Sequence, residues 1–169
     1  GAIGLGTFGY GMADVLLEPY AGQALGLTVA QTTKLTAVLA TGTLAGFAIA
    51  SRVLSGTARP TSVAVWGAAI GVPGFAAIIA SSFAVGPILF VAGTFATGLG
   101  AGLFGHATLT ATMRAAPREQ VGLALGAWGA VQATAAGLGV ALGGVVRDVL
   151  VGLPGRDGVA DPALPYNAV

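Results

Sequence analysis

Charge is what this sequence has least of: seven Lys and Arg and six Asp and Glu among 169 residues, 8% in all. A soluble domain carries about 25% charged residues, so a chain this poor in them cannot cover itself in water. The formal net charge of +1 gives no reason to expect nucleic acid or a polyanionic partner. Cysteine is absent, which excludes disulfides, thiolate metal sites and a cysteine nucleophile. Histidine occurs once, at position 106. What the sequence has instead is apolar mass: 55% hydrophobic residues, a mean hydropathy of +0.87 and 29 glycines without a collagen-like period. Glycine at that frequency inside apolar runs fits closely packed transmembrane helices.

About 20 apolar residues are needed to cross about 30 Å of hydrocarbon. Five stretches reach that length: 2–25, 32–54, 61–83, 88–113 and 121–146. The expected fold is all-α, a polytopic transmembrane bundle over 1–150, with 151–169 as a polar loop leading to a further helix. A chain that opens at Gly1 with no charged segment before its first apolar run, and closes on the turn-like Pro165-Tyr-Asn-Ala-Val169, reads as an internal piece of a longer membrane protein. The turns after the second and fourth spans hold Arg52, Arg59, Arg114 and Arg118, against Lys34, Arg147 and Arg156 on the other side. The positive-inside rule narrowly favours the first group as cytoplasmic.

The first span carries Asp14 and Glu18 one helical turn apart, with Pro19 directly after. A carboxylate inside a bilayer is costly unless neutralised, paired or facing water, so an intramembrane pair is a functional hypothesis in itself. Pro19 removes a backbone donor; a bent helix lining the interior of the bundle is expected. Pro73-Gly74 predicts a second kink, in the third span. Small-residue stripes for close helix packing occur at Gly42/Gly46, at Gly67/Gly71, and along the fifth span at Gly122, Gly126, Gly129, Ala133, Gly137 and Gly144.

The fourth span ends in Gly98-Leu-Gly-Ala-Gly-Leu-Phe-Gly-His106-Ala-Thr-Leu-Thr-Ala-Thr-Met113. At a helical spacing of four, Thr94, Gly98, Gly102, His106, Thr110 and Arg114 share nearly one face. The two glycines ahead of the imidazole let something approach the backbone closely, either a neighbouring helix or a flat ligand. Gln132 and Trp128, one turn apart on the fifth span, suit a ligand contact or an interhelical amide hydrogen bond. Asp157 and Asp161 place two carboxylates in a polar loop without a second cluster to share a metal, and read as a turn. No catalytic triad, zinc site or phosphate loop is present, so an enzyme is not expected.

Three stretches resemble one family. Gly9-Tyr-Gly-Met-Ala-Asp-Val-Leu-Leu-Glu-Pro-Tyr20, Gly102-Leu-Phe-Gly-His-Ala-Thr-Leu-Thr-Ala-Thr-Met113 and Gly122-Leu-Ala-Leu-Gly-Ala-Trp-Gly-Ala-Val-Gln-Ala-Thr-Ala-Ala-Gly137 are similar to the PucC/LhaA light-harvesting complex assembly proteins of purple bacteria, a branch of the major facilitator superfamily. The resemblance extends over the whole chain and places it in the C-terminal half of such a protein. It implies a membrane assembly factor for LH1 or LH2 antenna that binds or delivers bacteriochlorophyll in the intracytoplasmic photosynthetic membrane. Antenna polypeptides, the reaction centre–LH1 complex and bacteriochlorophyll synthase are the implied partners.

Under that reading His106 is the candidate axial ligand to the magnesium of bacteriochlorophyll, with Gly102 leaving room for the macrocycle. Asp14 and Glu18 become polar ligands to a tetrapyrrole, a proton-coupling pair, or partners for a basic residue on another helix. The competing reading is a facilitator-type secondary transporter of a small solute or tetrapyrrole. The chain departs from the usual facilitator signature, since Gly46-Phe-Ala-Ile-Ala-Ser51-Arg52 has Ser51 where an aspartate belongs; this counts against the usual transport gate.

Overall fold

The computed structural model describes residues 2–23, 28–81 and 87–151. They form five α-helices: α1 (Ala2–Gln23), α2 (Val29–Leu54), α3 (Pro60–Ala80), α4 (Pro87–Ala115) and α5 (Val121–Val151). A short 3-10 turn, Arg118–Gln120, leads into the last. No strand occurs among the described residues. In hydrocarbon a helix satisfies its own backbone polar groups within one segment, which is why so apolar a chain takes this form. Four of the described helices, α2 to α5, are long and apolar enough to cross a membrane. The chain is a multi-pass membrane protein. Exposed Leu44, Val65, Trp66, Val72, Ile88 and Leu123 give it the apolar outer surface that lipid requires.

Local chemistry sets the helix ends. The Thr28 backbone N–H at the start of α2 donates to the Gln31 side-chain oxygen at 2.9 Å, closing a capping box. Pro60 opens α3 at a position where a missing N–H costs nothing. Neither proline ends its helix, since α1 runs on through Pro19 and α3 through Pro73. Neighbouring helices can re-satisfy what a proline frees in a membrane.

α4 is the centre of the bundle. Of its most apolar window 44% is buried, against 17% to 28% for α2, α3 and α5. Glycines explain how two helices press on it at once. A Cβ at Gly46 of α2 would lie 2.9 Å from the Leu103 nitrogen of α4, and one at Gly67 of α3 would lie 2.7 Å from the Phe104 nitrogen. Backbone thus packs on backbone along both flanks of α4, as expected where lipid removes the hydrophobic drive between helices. Where the three meet, Ala50, Leu54, Val63, Leu103 and Ala107 form a buried cluster. α1 and α5 form a separate close pair. A Cβ at Gly139 of α5 would lie 2.6 Å from the Phe8 carbonyl oxygen of α1, and one at Gly11 would lie 3.0 Å from Ala136 Cα.

Arg114, at the end of α4, ties the buried cluster shut. Its Nη2 donates to the Leu54 carbonyl at 2.6 Å and its Nη1 to the Ala58 carbonyl at 3.4 Å. The last carbonyls of a helix have no intrahelical donor, and a cation there also meets the negative end of the helix dipole. Arg114→Met keeps the apolar stem and loses the donors; it is expected to destabilise the protein by about 1 kcal/mol. A thermal melt of the purified protein checks this through a midpoint lowered by a few degrees.

Candidate functional site

The α1–α5 pair meets the α2–α3–α4 slab around a cavity of about 380 Å³. α1 lines it with Thr7, Tyr10, Gly11 and Leu17, and α5 with Trp128, Gln132 and Ala136. From the other side α2 supplies Leu39, Thr43 and Phe47, and α4 supplies Thr97, Ala101, Phe104, Gly105 and Leu109. Tyr10, Thr43, Ala101 and Gln132 all fall near the middle of their helices, so the cavity lies deep in the bilayer. Its walls are mainly apolar and aromatic with a few polar groups, the usual make-up of a small-molecule site.

The polar groups are mostly satisfied within the protein. The Thr7 hydroxyl donates to Gln132 Oε1 across the α1–α5 contact. The Tyr10 hydroxyl donates to the Gly67 carbonyl of α3 at 3.0 Å, with its ring beside Phe75 and Phe104. Thr43 donates to the Leu39 carbonyl at 3.0 Å, and the Trp128 indole donates to Thr108 Oγ1 of α4 at 3.3 Å. Two groups remain. The Thr97 hydroxyl is buried without a partner, turned toward Gly74 of α3. The Gln132 carboxamide nitrogen has no hydrogen-bond partner among the described residues.

His106 sits beside this cavity and does not line it. Its ring stands edge-on to Phe47 at a centroid separation of 5.9 Å, on the seam between α2 and α4. Phe47, Gly105 and Leu109 around it do line the cavity. The half-buried imidazole finds no hydrogen-bond partner among the described residues, while its backbone carbonyl accepts from the Thr110 hydroxyl at 2.9 Å. Gly102 corrects an expectation. The space above it is filled by α2, since a Cβ there would strike the Thr43 carbonyl and lie 3.1 Å from Gly46 Cα. Between a neighbouring helix and a flat ligand, the helix takes the glycine face.

Gln132 and Trp128 both reach the cavity, and each also makes an interhelical hydrogen bond. Asp14 and Glu18 belong to α1, but their side chains lie outside the described residues, as do Asp157 and Asp161 altogether. No group of three or more His, Asp or Glu that could hold a metal ion occurs among the described residues. Sequence reasoning missed Tyr10 and Thr97. Tyr10 carried a signal, a lone hydroxyl-bearing ring among Gly4, Gly6, Gly9 and Gly11. Thr97 carried none, because a threonine in a helix normally bonds its own preceding turn, as Thr94 does with the Phe90 carbonyl.

The small-residue stripes also separate. Gly42 and Gly46 are used inside the bundle against α4, whereas a Cβ at Gly122, Gly126, Gly129, Gly137 or Gly144 of α5 would meet nothing within 4 Å.

Comparison with known proteins gives this arrangement a family. The chain is 69% identical over 169 residues to "Protein PucC" of Rhodobacter capsulatus, covering 99% of this chain and 36% of that protein. It is 63% identical over 165 residues to "Protein PucC" of Rhodovulum sulfidophilum, covering 98% of this chain and 36% of the relative. A more distant relative, "Bacteriochlorophyll synthase 44.5 kDa chain" of Rhodobacter capsulatus, is 31% identical over 147 residues, 83% of this chain and 34% of its own length. The chain therefore spans about a third of the length of the curated relatives it matches. No solved structure matches. The family described as PUCC protein matches residues 1–169, and with every helix of the bundle inside that match, the chain belongs to the PUCC protein family.

Proposed function

We propose that the chain is part of a non-enzymatic membrane assembly factor for purple-bacterial light-harvesting antenna, LH1 or LH2, that binds or delivers bacteriochlorophyll. The observation that carries this is the family match over the whole chain. The similarity to a chain named for bacteriochlorophyll synthase supports the pigment, and the cavity deep among the helices supports a lipid-soluble ligand. Antenna polypeptides, the reaction centre–LH1 complex and bacteriochlorophyll synthase are the partners this reading implies, met through the membrane.

His106 fits the pigment at one point. A neutral imidazole nitrogen is a common metal ligand, and this ring has no hydrogen-bond partner among the described residues. Bound there, the pigment would supply its magnesium as the atom that His106 ligates. Gly102 does not fit, because α2 occupies its face. The pigment contact therefore rests on the imidazole, with Phe47 holding the ring.

In the full-length protein, His106→Leu is expected to lower co-purifying bacteriochlorophyll severalfold and to reduce antenna absorbance, with membrane insertion unchanged. Pigment extraction from the purified protein and absorption spectra of the membranes measure both. Full pigment and normal antenna in this variant would reject the ligand role.

A further inference from the structure

A half-open cavity at mid-helix depth in a membrane bundle faces lipid and not bulk water, so an unpartnered polar group there indicates what should fill it. The donors around this cavity can be accounted for singly. The hydroxyls of Thr7, Tyr10 and Thr43 and the indole of Trp128 all donate within the protein. The Thr97 hydroxyl turns away, toward Gly74. What is left is the carboxamide nitrogen of Gln132, which has two N–H groups and no acceptor among the described residues. Thr7 fixes that amide by donating to its oxygen, so the nitrogen is the end left over.

We infer that the cavity binds a membrane-soluble molecule with an apolar body and a carbonyl oxygen, and that Gln132 donates a hydrogen bond to that oxygen. Each property of the ligand follows from the site. Residues such as Leu39, Phe47, Phe104 and Leu109 demand an apolar body. The donor, unpartnered among the described residues, calls for an acceptor, and no charged residue is among the described residues that line the cavity. A volume of about 380 Å³ takes a ring system or a chain segment, at the lower end of the range for small-molecule sites. The site is distinct from the imidazole of His106, which lies outside the lining. A carbonyl on a tetrapyrrole, on a quinone ring or on a lipid ester would each satisfy it.

The experiment uses the full-length protein in detergent, titrated separately with bacteriochlorophyll a, a short-chain ubiquinone and phosphatidylcholine. Infrared difference spectra follow the carbonyl stretch of each probe. The probe that occupies the site is expected to bind with its carbonyl band shifted down by hydrogen bonding. Gln132→Met is expected to remove the shift and weaken binding about tenfold, the size of one lost hydrogen bond. Ala101→Leu fills the cavity without touching a hydrogen bond and is expected to abolish binding.

Thr7→Val removes the Thr7–Gln132 bond but keeps the carboxamide; it is expected to retain the shifted band. A purely structural Gln132 would instead make Thr7→Val and Gln132→Met alike in stability and would leave binding and band position unmoved in both. That result, or the absence of a shifted carbonyl for all three probes, overturns the inference. His106→Leu separates the two sites. Binding lost with His106 but kept in Gln132→Met and Ala101→Leu sinks the cavity and spares the pigment ligand, whereas the reverse pattern sinks the ligand and spares the cavity.

Discussion

Gly102→Leu is expected to prevent the α2–α3–α4 slab from forming, not merely to thin out a ligand site. The new Cβ would strike the carbonyl of Thr43 and press on Gly46 Cα, both of them backbone, which cannot swing aside as a side chain can. The helices would have to part, and the contacts at Gly42, Gly46 and Gly98 on the same seam would part with them. Overpacking a core costs roughly 1–3 kcal/mol when side chains can adjust, so a backbone collision repeated along one seam belongs at or beyond the upper end. The expected readouts are a large fall in the yield of monodisperse protein and, in what survives, a strongly lowered thermal midpoint. Gly126→Leu is the matched control. Its Cβ would meet nothing within 4 Å, and it should leave the five-helix packing as it is. Equal midpoints for the two variants would mean that α2 does not lie on α4 as described.

Tyr10→Ala has the second large effect expected. Tyr10 is the principal polar tie between the α1–α5 pair and the slab. Its hydroxyl enters the notch formed by Gly67, Gly71 and Gly100, so that a Cβ at Gly71 would strike it and one at Gly100 would come within 2.7 Å. The ring packs 5.7 Å from Phe75 and 6.2 Å from Phe104, centroid to centroid. Removing a fully buried aromatic ring costs about 3–5 kcal/mol, and this half-buried one falls at the lower end of that range, whereas Tyr10→Phe loses one hydrogen bond, about 1 kcal/mol. Thermal melts of the two variants should therefore differ severalfold in the size of the shift. Similar small shifts would show that the notch does not grip the ring.

The sequence made the helices legible because length and apolar content are local properties, and the lipid solvent leaves few alternatives for such segments. It also made the packing glycines legible as stripes. It could not distinguish the stripe that is used from the one that is open: Gly42/Gly46 and Gly122/Gly126 have identical spacing, yet among the described residues only the first pair lies against another helix. Spacing describes how smooth a face is, and the partner comes from the topology. The same limit applies to the site. The face through Gly102 and His106 was readable, but the presence of α2 across it was not. Gln132 was readable as a polar group in an apolar span. Tyr10 stood out as a ring among glycines, but its role did not, because that depends on three glycines more than fifty residues away in sequence.

The pairing of α1 with α5 has a consequence for biosynthesis. The first helix of the described chain to leave the ribosome finds its main partner in the last, after α2, α3 and α4 have been made. Meanwhile α1, which carries Asp14 and Glu18, has among the other described helices only the Tyr10 notch and a few contacts with α2 and α4 to dock against. The slab can close by itself as each of its helices emerges. Within this part of the chain the α1–α5 contact is therefore the last to close, and any insertion between α1 and α5 would delay it.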